Sequence, residues 1–537
     1  MRRLPALVVG TALLVALALT ADSIRVRLPR SFDAGPHAWA SAHHSLIARS
    51  FARQGVIASN GLPIQNNPPV GDVPDVYLHW PPLFAMLIAQ AFRAFGESEA
   101  TAHAVAAMFA ATLLIAFTWL ARGLLPPRSV WVASLALLTT PVFFCYQDLV
   151  EGITLGLSFA LLEVLCFVRA TQNDAIDWRW GAGSVAAAFL AATTRWEPIC
   201  VVPGLLAASL WSRSRPRILL SGAVIASSVG ALGSIAALYW VAAPPGLTAD
   251  LWETALFRAG VGSLSHDPPI HQLAHEAFLR MSGSLEPYLR FFLRRSLLDR
   301  IGLLPLLATI ATAAALLTGS IRDAARRTIF VALLALPTLW YVAMPVQAFV
   351  HDYELLLLAP LSAASTGALY AWLDTALAKA RGSARSVSQA ALALTFCIAL
   401  LLPLVRFHAG GSHNEGVIGA GMNGPWSRHL PPDWRLRFSR QIRATTGENA
   451  IVMIPFHSMV PVYYSERHLI RGIVNDELVE RARREVRSSY RDAPIYLAVL
   501  PQFAAAFPQT KRRYPLATRR ENFELLDLTT RREGDVD

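Results

Sequence analysis

The chain has 537 residues, of which 54% are hydrophobic and 16% charged, with a mean hydropathy of +0.40. Soluble domains carry about 25% charged residues, so the composition excludes an ordinary soluble enzyme and predicts a membrane protein with many spans. The net charge of +11 does not signify nucleic acid, because the arginines stand at the ends of apolar runs, where the positive-inside rule puts them.

The chain opens with Arg2, Arg3 and the apolar run 4–21, read as an uncleaved anchor rather than a signal peptide cut near "ALTA". Further runs of spanning length, or close to it, lie at about 99–121, 129–146, 152–169, 218–243, 301–319, 328–347, 354–374 and 387–406. A shorter pair, 181–194 and 198–212, is broken at Thr194-Arg195-Trp196-Glu197. Counted as two spans meeting at an outer turn, it brings the expected total to eleven. The four cysteines, Cys145, Cys166, Cys200 and Cys397, fall in or beside apolar segments, so neither a disulfide framework nor a cysteine metal cluster is indicated.

Between the first two runs lies a polar stretch, 22–98. It contains "SFDAGPHAWASAHHSLIARSFARQG" and then "DVYLHWPPLFAMLIAQAFRAFG". His79-Trp80-Pro81-Pro82 forces an extended step, and a helix begins beside the prolines. Over 83–95 that helix reaches roughly 20 Å at ~1.5 Å per residue. A hydrocarbon core of about 30 Å needs more, so the helix is expected to lie in the interface.

Charge tests that expectation. If the 83–95 helix does not cross, the inner loops hold Arg2 and Arg3, Arg122 and Arg128, Arg169 and Arg179, Arg213, Arg215 and Arg217, Arg322, Arg326 and Arg327, and Lys379, Arg381 and Arg385. The short outer turns 147–151, 195–197 and 348–353 hold Arg195 alone. A crossing helix would reverse this bias. The outer side therefore collects 22–98, the turn at 147–151, Arg195, the histidine-bearing loop 244–300, with amphipathic helices expected over 272–295, and the C-terminal region. No internal repeat of the transporter kind is present.

From about Phe407 the composition becomes soluble. A glycine-rich linker at 407–424 follows the membrane domain 1–406 and precedes a domain at 425–537. Helices are expected at 433–445 and 476–489, and strands at 450–454, 468–474, 494–500 and 523–528. This alternation predicts a small extracytoplasmic α/β domain, without a glycine-rich phosphate loop, suited to cover the site or dock an acceptor.

The segment "HWPPLFAMLIAQAFRAFGESEATAHAVAAM", with Ile47-Ala48-Arg49 before it and Phe95-Gly96 within it, resembles polyprenyl-phosphate-dependent glycosyltransferases of the GT-C fold. These are the family 39-like group of protein O-mannosyltransferases and aminoarabinose transferases. The resemblance follows the order of hydrophobic segments through Trp372. It implies a polytopic α-helical GT-C-like membrane protein of the bacterial inner membrane with an extracytoplasmic active site. The activity it implies is inverting transfer of a sugar from a polyprenyl-phosphate donor to a lipid, glycan or protein acceptor.

Such a transfer needs a donor or cation on the leaving phosphate and a carboxylate to accept the acceptor's proton. The sugar centre passes through an oxocarbenium-like state, and a single displacement inverts it. Asp33 is the first candidate base, in the loop where the resemblance implies a catalytic acid; a turn or cap acid before Gly35-Pro36 is the plainer alternative. Relatives carry that acid closer to Ile47-Ala48-Arg49, where this chain has His43 and His44, the alternative bases. Asp72 and Asp75 look like turn residues. His79 is placed by the resemblance at the lipid phosphate, a contact an interfacial imidazole can make, or it simply neighbours the anchoring Trp80.

Asp148 and Glu151 are expected to line the donor pocket or cap helices. Arg195, costly in the membrane without a partner, is expected to meet lipid phosphate or Glu197. In "VHDYELLLLAP", His351 and Tyr353 are expected to close over the donor head. The chemistry requires no metal; His79, His351, Asp33 and Glu151 would supply a divalent cation's ligands, but no H-x-x-x-H spacing appears. The rival classes are a lipid or solute transporter, disfavoured because Glu163 is the nearest thing to a mid-span charge, and a glycan ligase or polymerase of related architecture.

Overall fold

In a computed structural model the described residues are 4–34, 38–67, 76–173, 175–242, 247–259, 297–298, 300–379, 383–410, 433–456, 458–490, 493–520 and 523–530. Asp72, Asp75, the stretch 272–295 and most of the linker lie outside them. The first half of the chain forms α1 (Leu4–Arg27), α2 (Ala38–Gln54), α3 (Leu83–Phe95), α4 (Glu99–Leu124), α5 (Pro127–Thr139), α6 (Pro141–Tyr146), α7 (Ile153–Ala170) and α8 (Trp178–Thr194). Then come α9 (Val201–Ser212), α10 (Arg215–Ala242), α11 (Leu247–Arg258), α12 (Leu303–Leu317), α13 (Ala324–Ala343), α14 (Pro345–Val350), α15 (Ala359–Leu377) and α16 (Ser383–Gly410).

Among the described residues six helices are long and apolar enough to cross a membrane: α1, α4, α7, α10, α13 and the stretch Ala384–Val405 of α16. The other apolar runs are helical as well. α5, α8, α9 and α12 have 12 to 17 residues, and α15 has 19. Several runs differ in detail from the sequence reading, as 328–347 does by ending at Ala343 before a new helix at Pro345. The run 129–146 breaks at Thr140, because Pro141 lacks the N–H that would continue the ladder and begins α6 instead. The run 354–374 becomes helical only at Ala359, leaving Glu354 in a preceding 3-10 turn, Asp352–Leu357.

The path of the chain between α1 and α4 is fixed by one short segment that both helices touch. Arg27, at the end of α1, donates to Asp148 Oδ1 (2.9 Å) and to the carbonyls of Phe144 (3.3 Å) and Cys145 (3.1 Å). His103, near the start of α4, bonds through Nδ1 to the Asp148 carbonyl oxygen (2.8 Å). The chain therefore leaves α1 and enters α4 at the same end of the bundle. The intervening helices, α2 and α3, therefore join the bundle at that end, packed on each other and with α3 against α4. α3 buries Phe84, Ala85, Ile88, Ala89 and Phe92 on one face, and it stops at Gly96, whose φ of 89° a side chain would resist.

The C-terminal part folds as α17 (Trp434–Thr445), β1 (Ile451–Ile454), α18 (Val460–Ser465), β2 (His468–Arg471), α19 (Asp476–Ser489), β3 (Ile495–Val499), α20 (Pro508–Arg513), β4 (Leu516–Arg520) and β5 (Phe523–Asp527). Strand order is β2-β1-β3-β5-β4, with β2, β1 and β3 parallel and the last two strands antiparallel. Central β1 is buried on both faces, hence its unbroken apolar "IVMI". Edge strand β4 is exposed and carries arginines; its sequence lacks a core-facing alternation, and the sequence reading missed it.

This sheet is seated on the first loop. Phe32, Phe51 and Phe92 share one apolar core with Trp434, Phe438 and Tyr463. Arg49 ties the pieces together: it pairs with Glu97, donates to Asn67 Oδ1 (3.3 Å) and the Tyr463 carbonyl (2.7 Å), and lies 3.9 Å over the Tyr463 ring. The Ile47-Ala48-Arg49 and Phe95-Gly96 signatures are thus a packing knot between α2, the α3–α4 turn and the C-terminal sheet. Asn66 adds a second tie, exchanging bonds with Leu469 N (3.3 Å) and O (3.2 Å) on edge strand β2.

Candidate functional site

At the end of the bundle where α2 and α3 lie, the break between α8 and α9 turns one side chain inward. Arg195 caps α8 in extended backbone and is 1% exposed. Its guanidinium pairs with Glu151 and with Glu197 (Nε to Oε2, 2.9 Å), and Glu354 Oε1 lies 3.9 Å away. The ring of Trp80 lies 3.8 Å from the guanidinium carbon, and Arg258 reaches the same ring at 4.8 Å. Two glycines make the room. A Cβ on Gly152 would stand 3.3 Å from Arg195 Cδ, and one on Gly156 would stand 2.9 Å from Pro198 Cγ.

Three carboxylates on one guanidinium leave an excess of buried negative charge. Burial and the neighbouring Glu197 push the Glu354 carboxyl up to about 7, against the pull of Arg195 and of hydrogen bonds from Trp340 Nε1 (2.5 Å) and Gln347 Nε2 (2.9 Å). Burial also disfavours the Arg195 charge, but Glu197, Tyr353 and Glu354 outweigh it and its proton is held more tightly than usual. His44 Nε2 stands 3.7 Å from Glu151 Oε1, yet burial and Arg195 push its imidazole down to about 3, so it is neutral.

The Pro-Pro step delivers the adjoining groups. His79 Nε2 bonds Thr254 Oγ1 (3.2 Å) on α11, while its carbonyl accepts from Trp196 Nε1 (2.6 Å) and the Trp80 carbonyl from Tyr239 OH (2.9 Å). The His79 ring stands against Tyr77 (4.4 Å between centroids), whose hydroxyl accepts from Arg258 Nη2 (3.5 Å). His43 Nε2 bonds Gln65 Oε1 (3.1 Å), and burial holds its imidazole well below the usual value.

Of the residues expected from the sequence, His44, Glu151 and Arg195 meet in one cluster, with His79 and His43 linked to it through Trp80 and Tyr77. Of the two partners open for Arg195, the structure supplies Glu197, and adds Glu151. Asp148 pairs with Arg27 instead. Tyr353 packs against Tyr146 (6.1 Å) and His351 (5.1 Å), and burial raises its hydroxyl well above the ordinary value. Asp33 faces the C-terminal sheet. Its carboxylate pairs with Arg435 and accepts from Leu436 N (3.2 Å), and burial lifts it above the usual carboxylate range despite that cation. Among the described residues no group of three or more His, Cys, Asp and Glu could hold a metal; the three carboxylates turn onto Arg195.

Residues 79–240 match the family model described as dolichyl-phosphate-mannose-protein mannosyltransferase. Over 97% of both chains, the structure matches ArnT from Cupriavidus metallidurans solved with undecaprenyl phosphate, at 14% identity and a TM-score of 0.56. This is the GT-C fold. AglB, the oligosaccharyltransferase of Archaeoglobus fulgidus, solved with an inhibitory peptide and a dolichol phosphate, matches it over 92% of this chain and 69% of its own, at 13% identity and a TM-score of 0.55. The same archaeal enzyme with zinc and sulfate gives a TM-score of 0.57 at 14% identity, over 91% of this chain and 68% of its own. No curated protein matches the chain.

Within the GT-C fold of this chain, the family match begins at His79 and takes in Asp148, Glu151, Arg195 and Glu197. Glu354 lies beyond it, and sequence reasoning passed it over. The available signal was an acid next to "LLLLAP", since a carboxyl at the edge of an apolar run needs a partner. Thr254, Trp340 and Gln347 carried no such signal.

Proposed function

We propose that this protein is an inverting glycosyltransferase that moves a sugar from a polyprenyl-phosphate donor to a lipid, glycan or protein acceptor on the outer face of the plasma membrane. The observation that carries the reading is the convergence of Glu354, Glu151 and Arg195 with Trp80, Arg258 and His79 at one end of the bundle. The donor class is supported by the match to the mannosyltransferase family and by undecaprenyl and dolichol phosphates in the two structural neighbours. The outer face is supported by the positive loops at the opposite ends of the helices.

In this reading Glu354 is the base. Its proton affinity near neutrality suits a group that must be ionised yet able to take a proton. The acceptor hydroxyl gives its proton to Glu354 as its oxygen attacks the sugar's anomeric carbon. The bond from that carbon to the phosphate oxygen breaks on the opposite side, and the electron pair leaves with the phosphate. Arg258 and His79 face the charge that develops there. Glu151 and Glu197 keep Arg195 in place, and Arg195 holds Trp80 beneath the donor. Asp33 serves as a tie to the C-terminal domain.

Proteoliposomes supplied with labelled polyprenyl-phosphate sugars test this. Transfer is expected in wild type, with and without EDTA, and is expected to fall by about 100-fold or more in Glu354→Gln and strongly in His79→Ala. Unchanged transfer in both variants would remove these roles, and no transfer from any lipid-linked donor would remove the reaction.

A further inference from the structure

Next to the charged cluster four aromatic rings close on one another. Trp39 and His43 come from the first turns of α2, and Tyr77 and His79 from the extended segment before the prolines. The Trp39 and His43 rings are 4.6 Å apart, His43 and Tyr77 4.2 Å and nearly perpendicular, and Trp39 and Tyr77 6.2 Å. His43 is fully buried, whereas Trp39, Tyr77 and His79 each keep part of their surface open. Three of the four side chains therefore keep surface that a ligand can meet, around a buried imidazole.

Two buried nitrogens of this group have no hydrogen-bond partner: Trp39 Nε1 and His43 Nδ1. Buried polar atoms are nearly always satisfied, and leaving one unmade is costly. Their chemistry is complementary. An indole N–H only donates. His43 bonds Gln65 Oε1 through Nε2, which with the amide so oriented makes Nε2 the protonated nitrogen and leaves Nδ1 an acceptor. Burial among His44, Arg471 and His79 keeps the ring uncharged, which preserves that acceptor.

One donor and one acceptor beside the partly exposed rings of Trp39 and Tyr77 suit a hydroxyl-bearing ring. A phosphate offers only acceptors and would meet the His43 lone pair unfavourably. A saccharide offers hydroxyls, which both donate and accept, and a face of C–H groups that meets the negative face of an aromatic ring. We propose that Trp39, His43 and Tyr77 form the subsite for the sugar of the lipid-linked donor. This rests on the donor reading above: Tyr77 links to Arg258 and packs against His79, the groups facing the phosphate, and the donor's sugar is joined directly to that phosphate.

The test compares binding of undecaprenyl phosphate with its mannosyl, glucosyl and arabinosyl derivatives to the full-length protein in nanodiscs by titration calorimetry. At least one sugar-bearing lipid is expected to bind about tenfold more tightly than the bare lipid, a gain the size of one good contact. Trp39→Ala and His43→Phe are expected to erase that gain and leave bare-lipid affinity unchanged, which also reports that the variants fold. Trp39→Phe, which keeps a ring and loses the N–H, is expected to keep part of it. A gain that survives in both variants, an equal loss for bare lipid, or no gain in wild type while bare lipid binds overturns the subsite and spares the donor reading. Absence of binding by every lipid, bare or glycosylated, overturns the donor reading and the subsite with it.

Discussion

Asp33 and Arg435 stand 402 positions apart in the chain and form a part-buried ion pair between the first loop and helix α17. The carboxylate also caps that helix through Leu436 N. A carboxylate so engaged links the first loop to the helix that opens the C-terminal part.

A double-mutant cycle separates that link from the role of base. Asp33→Asn removes the charge that faces Arg435 across a part-buried contact and is expected to destabilise by about 2 kcal/mol, the size of a hydrogen bond to a charged group. Adding Arg435→Gln is expected to recover part of that loss, since contacting residues couple. Thermal unfolding of the single and double variants reads the coupling. Transfer per folded molecule should change little in all three; a collapse in Asp33→Asn that the second change does not touch would make Asp33 the base after all.

The pH profile isolates Glu354. Its carboxyl is raised from 4.5 to about 7, so transfer is expected to rise with pH through about 7 and level off above it. The stability sign is opposite. A carboxyl that binds its proton more tightly when folded stabilises fully below about 4.5, and this contribution fades as pH climbs through about 7. Glu354→Gln copies the protonated form, so its melting temperature is expected to lose that dependence while its turnover is lost at every pH. A wild-type rate flat from pH 5 to 8 would exclude Glu354.

Arg195 depends on the space left by two glycines and on the flat fork of a guanidinium. Gly156→Ala would drive a methyl group to 2.9 Å from Pro198 and 3.3 Å from Arg195 Cβ, a separation that neighbours must yield to relieve. It is expected to cost about 1–3 kcal/mol as an overpacked site. Arg195→Lys keeps the charge but cannot serve Glu151, Glu197 and the Trp80 face together. It should lower transfer far more than Lys substitution at Arg93, whose guanidinium bonds the Phe51 and Ala52 carbonyls at the end of α2. Equal effects at the two positions would deny Arg195 any special place.

The body of the molecule was legible because its signals are local. Run lengths located the helices, the prolines placed the start of α3, and the imbalance of arginines argued that the 83–95 helix does not cross alone; the Arg27 and His103 contacts to Asp148 put the end of α1 and the start of α4 at one end, as that parity expects. The site was legible in part. His79, Glu151 and Arg195 stood out as polar groups at the ends of apolar runs, and the structure joins Glu151 directly to Arg195 and His79 to the neighbouring α11. Asp33 was expected from the loop in which the resemblance implies a catalytic acid, yet its partner lies at the far end of the sequence.

The sequence by itself determined that this is a helical membrane protein with a small α/β domain and a polar end built around a double proline, because hydrophobic length, periodicity and proline chemistry act over a few residues. Only the tertiary structure decided which acids share a guanidinium, which carboxyl holds a proton near neutrality, and that Asp33 ties two domains together. Those properties are set by burial and by charges brought near from distant parts of the chain, and neither quantity exists until the chain has folded.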